Sequence, residues 1–205
     1  MLLLHANDPR TPLEESLGAL AELQKEGKIE HLGLCNTSIA EVRQAQRHFQ
    51  VQAIQSELSV IDRSSGIEGL VALARQMGVP FLAHRPLGGH AKAGNLLKNR
   101  AVKPIAARHN VTPHEAALAA LIDLGPPVIP VFGATRRASV ESSLRALKVR
   151  FDARDRAELA TKISFDASAE ALAATAPPVT PAGLRPLVAG EAPGDEPEVV
   201  VMMGI

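Results

Sequence analysis

The chain has 205 residues, enough for one sizeable domain or for one domain and part of a second. Its formal net charge is zero and its hydrophobic share is 46%, so nothing electrostatic points to nucleic acid or an anionic membrane as a partner. Cys35 is the only cysteine, which excludes an internal disulfide, no apolar run is long enough to span a bilayer, and the expectation is a soluble, cytoplasmic protein.

Leu2 to Leu4 is a short apolar run ending at His5, too short for a signal-peptide core and without a basic leader. Thr11-Pro12-Leu13-Glu14 has the form of a capping box with proline at the first helical position. The helix it opens has Leu13, Leu17, Leu20 and Leu23 on one face and stops at Gly27. His31 to Cys35 reads as a strand. Ser38-Ile39-Ala40-Glu41 is a second capping box, opening a helix with Ile39, Val42 and Ala45 inward. Val51 to Gln55 reads as the next strand, and Gly66 to Met77 as a helix closed by Gly78.

Val79 to Ala83 predicts a strand that runs into His84-Arg85-Pro86-Leu87-Gly88-Gly89, a sequence no helix tolerates. Helices follow at Val102 to His109 and, behind a third capping box at Thr112-Pro113-His114-Glu115, at Pro113 to Asp123. A β-branched strand from Val128 then turns at Gly133 into a helix with Val140, Leu144 and Leu147 on one face; a last helix spans about Ala153 to Ile163. Strands apolar on both faces alternate with amphipathic helices, so the fold class is α/β with a parallel sheet, either a barrel or a doubly wound sheet.

Regular structure fades after Leu172. Residues 173–198 read as a disordered linker, since Ala176 to Glu198 alone contain six prolines and three glycines. Val199-Val-Val-Met-Met-Gly-Ile is strand-like and is either a mobile tail or the first strand of a truncated second domain. A strand ending in glycine is how a Walker-type P-loop starts, although the rest of that motif is absent.

The stretch Val128 to Leu144 carries the clearest chemistry. A buried strand opening into a helix start leaves backbone N–H groups free for an anion. Arg136 and Arg137 add forked, permanently charged donors. A nucleotide phosphate site is one reading; two solvated arginines at a helix start is the other. The seven histidines show no His-x-x-x-His spacing, so no metal site is expected. Cys35 lacks a basic partner and reads as a small buried residue. Asp8, Glu14 and Glu15 read as helix-capping acids.

Several of these segments, in order, resemble the aldo-keto reductase family, nicotinamide-dependent (β/α)8 TIM barrels. Leu2-Leu-Leu-His5-Ala-Asn-Asp8-Pro9, Thr11 to Leu17 and Gly27-Lys28-Ile29 resemble the family's fourth strand and helix. His31-Leu-Gly33-Leu-Cys35-Asn36 is similar to its fifth strand, Gln55 falls at the glutamine of its sixth, and His84-Arg85-Pro86-Leu87 stands where the family has aromatic-Ser-Pro-Leu. Ile129-Pro130 through Leu144 is similar to the eighth strand and the cofactor-phosphate segment. The resemblance implies a partial barrel of about five of eight βα units over residues 1–172.

It also implies roles. His5 would be the active-site histidine that hydrogen-bonds the substrate carbonyl oxygen. Asn36 and Gln55 would hold the nicotinamide carboxamide, and His84 would lie under the ring, with Pro86 and Leu87 following in the cofactor site. Gly133, Ala134, Thr135, Arg136 and Arg137 would take the adenosine phosphate, favouring NADPH while leaving NADH possible. The partner implied is a small-molecule carbonyl compound.

The family's acid is a tyrosine, paired with lysine and aspartate from earlier strands, and this chain contains no tyrosine. The expectation is therefore an NADPH-dependent aldehyde or ketone reductase, inactive as these 205 residues alone. Ser142 and Ser143 stand where the family contacts adenine. With Cys35 and His84 they motivate an alternative, a degenerate regulatory or scaffold module fused to an ATP-binding domain.

Overall fold

The structure is a computed structural model that describes residues 1–61 and 67–160. Five strands, β1 (Leu2–Leu4), β2 (Leu32–Cys35), β3 (Val51–Glu57), β4 (Phe81–His84) and β5 (Val128–Val131), form one sheet in sequential order. Every neighbouring pair is parallel, and every crossover carries helix: α1 (Leu13–Lys25), α2 (Ile39–Ala45), α3 (Ile67–Met77), then α4 (Gly89–Lys92), α5 (Val102–Arg108) and α6 (Pro113–Ile122). α7 (Arg137–Ala146) and α8 (Ala153–Ala160) follow β5. Consecutive parallel strands joined by helices are the repeating unit of a (β/α)8 barrel, and the described sheet is a five-stranded piece of one.

The register explains which side the helices cover. Leu32, Leu34, Val51, Ile54, Phe81, Ala83 and Val128 are buried with Leu17 and Ala21 of α1, Val42 and Ala45 of α2, and Leu70, Val71 and Ala74 of α3. Alternate residues point to the other face: Gln55 and Glu57 of β3, Leu82 and His84 of β4, and Ile129 and Val131 of β5 are all half-buried. That second face is the interior wall of the barrel. Gly33 is required where β1, β2 and β3 crowd together, because a Cβ there would lie 2.4 Å from Leu3 Cδ2 and 2.5 Å from the Ala53 carbonyl oxygen. A bulge between Leu32 and Leu34 sits beside it, and Gln52 Oε1 accepts the Leu32 N–H at 3.3 Å.

Local signals predict most elements within two residues. Both capping boxes at Ser38–Glu41 and Thr112–Glu115 form reciprocally, and Gly27 and Gly78 close their helices with φ of +74° and +66°. The expected box at Thr11 does not form: Pro12 is the cap residue and makes no side-chain bond. The reason is tertiary. Glu14 reaches across to α2, accepting from Gln44 and Arg47 at 2.9 Å each and pairing with His48. Asp8 is not a cap for that helix either, since both its oxygens are engaged by Arg10.

Three further differences have physical causes. The segment after Gly88 is helical, as α4 and a 3-10 turn over Ala93–Lys98. α6 is not amphipathic: Glu115 through Leu121 are all buried, because α5, α7 and the 3-10 turn pack around it. α7 buries Ala146 while Leu144 is exposed. The end of the helix expected to reach Ile163, the linker, and the strand-like run at Val199–Ile205 lie outside the described residues.

Candidate functional site at the strand C-terminal rim

Five parallel strands bring the chain to one rim at their C-terminal ends, where barrel enzymes keep their chemistry. His5 follows β1 directly and is exposed. Asn36 follows β2 in a left-handed conformation, φ +51°, its N–H donating to the Gln55 carbonyl at 2.9 Å. Its side-chain amide donates to the His5 carbonyl oxygen at 3.0 Å. The backbones of three strand ends are thus tied together through Asn36. An asparagine tolerates this φ better than most side chains do.

Gln55 lies next to Cys35 in register and faces Leu82 on the following strand. His84 is the register partner of Glu57. Burial is the main influence pushing the His84 imidazole below its ordinary value; Glu57 pulls it up, while Arg85 and His5 push it further down. His84 is therefore neutral at neutral pH. Its Nδ1 is buried without a hydrogen-bond partner.

Among the described residues, the side chains of His5, Gln55 and His84 make no hydrogen bond to protein, and Asn36 keeps its Oδ1 unengaged. Of these only His84 Nδ1 is buried and unsatisfied; His5 and Asn36 are exposed, so their free polar atoms are open to water and equally to a polar ligand. Donor and acceptor amides beside two imidazoles match a carboxamide and a carbonyl oxygen. Cys35, buried at the same level, is chemically quiet because burial pushes its thiol up.

Beyond His84, Pro86 is buried and Leu87 packs against the second core cluster. After β5, Gly133 is exposed with open space where a Cβ would be, and Ala134 and Thr135 lead to Arg136. Arg136 occupies the cap position of α7 without a side-chain cap bond; the Ser139 N–H is taken by the Arg136 carbonyl at 2.9 Å, which leaves those of Arg137 and Ala138 at the helix start. Arg137, 92% exposed, bonds Glu141 at 2.7 Å one turn on. Ser142 and Ser143 are turned to structural work: Ser142 Oγ donates to Glu115 at 2.8 Å and Ser143 Oγ to the Ser139 carbonyl at 3.0 Å.

Glu57 and Arg85 join this rim, and sequence reasoning did not single them out. Arg85 Nη1 donates to Glu57 Oε2 at 3.3 Å. The period-2 alternation that places Gln55 inward also places Glu57 inward, and that was the available signal. No group of three or more histidine, cysteine, aspartate or glutamate side chains that could hold a metal is found among the described residues. No helix among them is long and apolar enough to cross a membrane.

Residues 1–164 match the sequence profile of the Aldo/keto reductase family. The aldo-keto reductase str7 of Strobilurus tenacellus is 32% identical over 175 residues, covering 71% of this chain and 52% of that protein. Among solved structures, a thermostable aldo-keto reductase aligns with TM-score 0.69 and 26% identity, over 78% of this chain and 58% of its own. An aldo-keto reductase from Klebsiella pneumoniae in complex with NADPH aligns with TM-score 0.66 and 25% identity, over 78% and 56% of the two chains. The chain spans about half the length of the curated relatives it matches, 52% for the first two. With a five-stranded parallel sheet in sequential order and a family profile matched over residues 1–164, the chain belongs to the aldo/keto reductase family.

Proposed function

We propose that this chain forms the cofactor-binding part of an NADPH-dependent carbonyl reductase. One observation carries the reading: His5, Asn36, Gln55 and His84 converge on one rim with polar atoms that the protein itself leaves unused. A bound nicotinamide supplies a hydride to a carbonyl carbon. The residues do the rest. His5 donates a hydrogen bond to the carbonyl oxygen as negative charge develops there. Asn36 Oδ1 and the Gln55 amide would hold the carboxamide, and the neutral His84 ring would offer the nicotinamide a flat, uncharged surface. Gly133 to Arg137 take the adenosine phosphate, and the exposed guanidinium of Arg136 favours the additional phosphate of NADPH over NADH.

Proton donation is the incomplete element. The family resemblance assigns it to a tyrosine, and these 205 residues contain none. Without that donor, turnover by this chain alone is negligible. The scaffold alternative keeps its motive at Ser142 and Ser143, whose hydroxyls are engaged by protein, but the similarity to aldo-keto reductases supports the reductase reading over it. Titrating NADPH into the chain and following nucleotide fluorescence tests the binding reading. Saturation at micromolar cofactor is expected, and absence of binding at that concentration would overturn it. Measurable reduction of a simple aldehyde by these residues alone would overturn the assignment of negligible turnover.

A further inference from the structure

The chain is neutral overall, yet its charge is segregated along the sequence. No aspartate or glutamate stands between Glu68 and Glu115, whereas Lys92, Lys98, Arg100, Lys103 and Arg108 all follow β4 in that interval. The fold gathers the middle three. Asn99 Oδ1 accepts the N–H groups of Ala101 and Val102 at 3.0 and 3.1 Å, and the Asn99 carbonyl accepts the Lys103 N–H at 3.0 Å. Lys98, Arg100 and Lys103 are thereby wrapped about one residue at the start of α5. All three are exposed, while Leu96, Val102 and Ile105 beneath them are buried. Leu97, beside them, is 53% exposed. Among the described residues none of these three cations has an acidic partner. The nearest acids are committed elsewhere: Glu115 of α6 to Ser142, Arg145 and the Thr112 N–H, and Asp155 and Glu158 of α8 to Arg108. Like charges gathered on one surface repel, and an opposite charge brought to them is attracted.

The sequence carries such a charge. Beyond Arg185 it has no lysine or arginine, and Glu191, Asp195, Glu196 and Glu198 run directly into the apolar stretch 199–203. That segment lies outside the described residues, but the start of its tether does not. α8 ends at Ala160, and its Asp155 and Glu158 hold Arg108, the last residue of α5, at 2.5 and 2.9 Å. The start of α5 is roughly 10 Å further along that helix. A coil the length of residues 161–190 spans roughly 30 Å, so the acidic stretch reaches the patch. Tethering presents it there at a local concentration of about a millimolar.

We infer that the acidic segment 191–198 docks on the Lys98, Arg100 and Lys103 surface of its own molecule, laying residues 199–203 against Leu97. The test uses the whole chain with a nitroxide on Ala192→Cys, in a Cys35→Ser background so that the label has one site. The amide NMR signals of residues 97–103 are expected to broaden at about 0.1 M salt, where the screening length is about 10 Å, and to recover at about 1 M, where it is about 3 Å. Reversing the patch (Lys98→Glu, Arg100→Glu and Lys103→Glu) should abolish the broadening. Reversing the segment (Asp195→Lys, Glu196→Lys and Glu198→Lys) should abolish it too, without touching the folded surface. Combining both reversals should bring it back. No broadening at about 0.1 M salt, where screening still leaves a reach of about 10 Å, would overturn the inference. So would broadening that survives either reversal, or a combined variant that fails to recover it. Broadening seen only when nitroxide-bearing chains are mixed with separate isotope-enriched ones would seat a second copy on the patch and overturn the intramolecular assignment.

Discussion

Two polar regions of this molecule are built on opposite principles. On the flank formed by α5 to α8, buried charge is saturated. Asp155 is fully buried and accepts from Arg108 Nε and Nη2 at 3.1 and 2.5 Å, from His109 Nε2 at 2.6 Å and from the Asp152 N–H at 3.2 Å. Glu115, 3% exposed, takes Ser142, Arg145 and the Thr112 N–H. At the C-terminal rim the opposite holds, and His5, Gln55 and His84 leave their polar atoms without protein partners. Saturated networks hold a structure together, whereas unused hydrogen-bonding capacity is available to a ligand. Substitutions in the two regions should therefore fail in different ways.

The largest effect belongs to the saturated flank. Asp155→Ala leaves Arg108 and His109 without their acceptor and should cost about 3 kcal/mol or more in urea unfolding. NADPH affinity of the folded fraction should be unchanged. Burial pushes the Asp155 carboxyl up, but the bonds from Arg108, His109 and the Asp152 N–H outweigh it and hold the group at about 2, against 3.8 ordinarily. Because the folded-state value is the lower one, the contribution is complete above pH 3.8 and drains away as pH falls towards 2. That difference corresponds to about 2 kcal/mol. Unfolding followed from pH 5 down to 2 should show this loss in the parent chain and much less of it in Asp155→Asn. Equal acid sensitivity of the two would remove Asp155 from the account.

The rim should behave in the reverse manner. Gln55→Leu removes a half-buried amide that has no protein partner and replaces it with an apolar side chain of similar size. Stability should hold within about 0.5 kcal/mol or rise. On the proposed role of the amide, NADPH should bind about tenfold more weakly, the loss of one hydrogen-bonding pair. A stability loss with unchanged NADPH affinity would move Gln55 from the binding rim to the structural side of the comparison.

What could be read from the sequence, and what could not, follows the same division by range. The five strands and the boxes at Ser38 and Thr112 are legible because each signal lies within a few residues and the physics is local. His5, Asn36, Gln55 and His84 were named through resemblance, while their common rim follows only from parallel register. Contacts across long separations were not legible. Glu14 looks like a cap until α2 is packed beside it 30 residues later. Asp155 and His109 meet across 46 residues, and Arg85 finds Glu57 across 28. Gly88 and Gly89 look like helix breakers, yet their positive φ values, +82° and +68°, turn the chain into α4.

Ser142 gives the smallest effect and tests where the boundary between the regions runs. By sequence position it belongs to the phosphate segment, and by contact it belongs to the flank, donating to Glu115 Oε1 at 2.8 Å. Burial pushes the Glu115 carboxyl up, but the Thr112 backbone, Ser142 and Arg145 together hold it below its ordinary value. Ser142→Ala removes one donor of several from a buried carboxylate, so it should cost about 1 kcal/mol. Arg145 and the capping box still satisfy Glu115, which keeps the loss well below that of Asp155→Ala. NADPH affinity should be unchanged, because the hydroxyl faces α6 and not the cleft. A weaker NADPH complex with unaltered unfolding would instead carry the binding cleft one helical turn further along α7 and make the serine part of it.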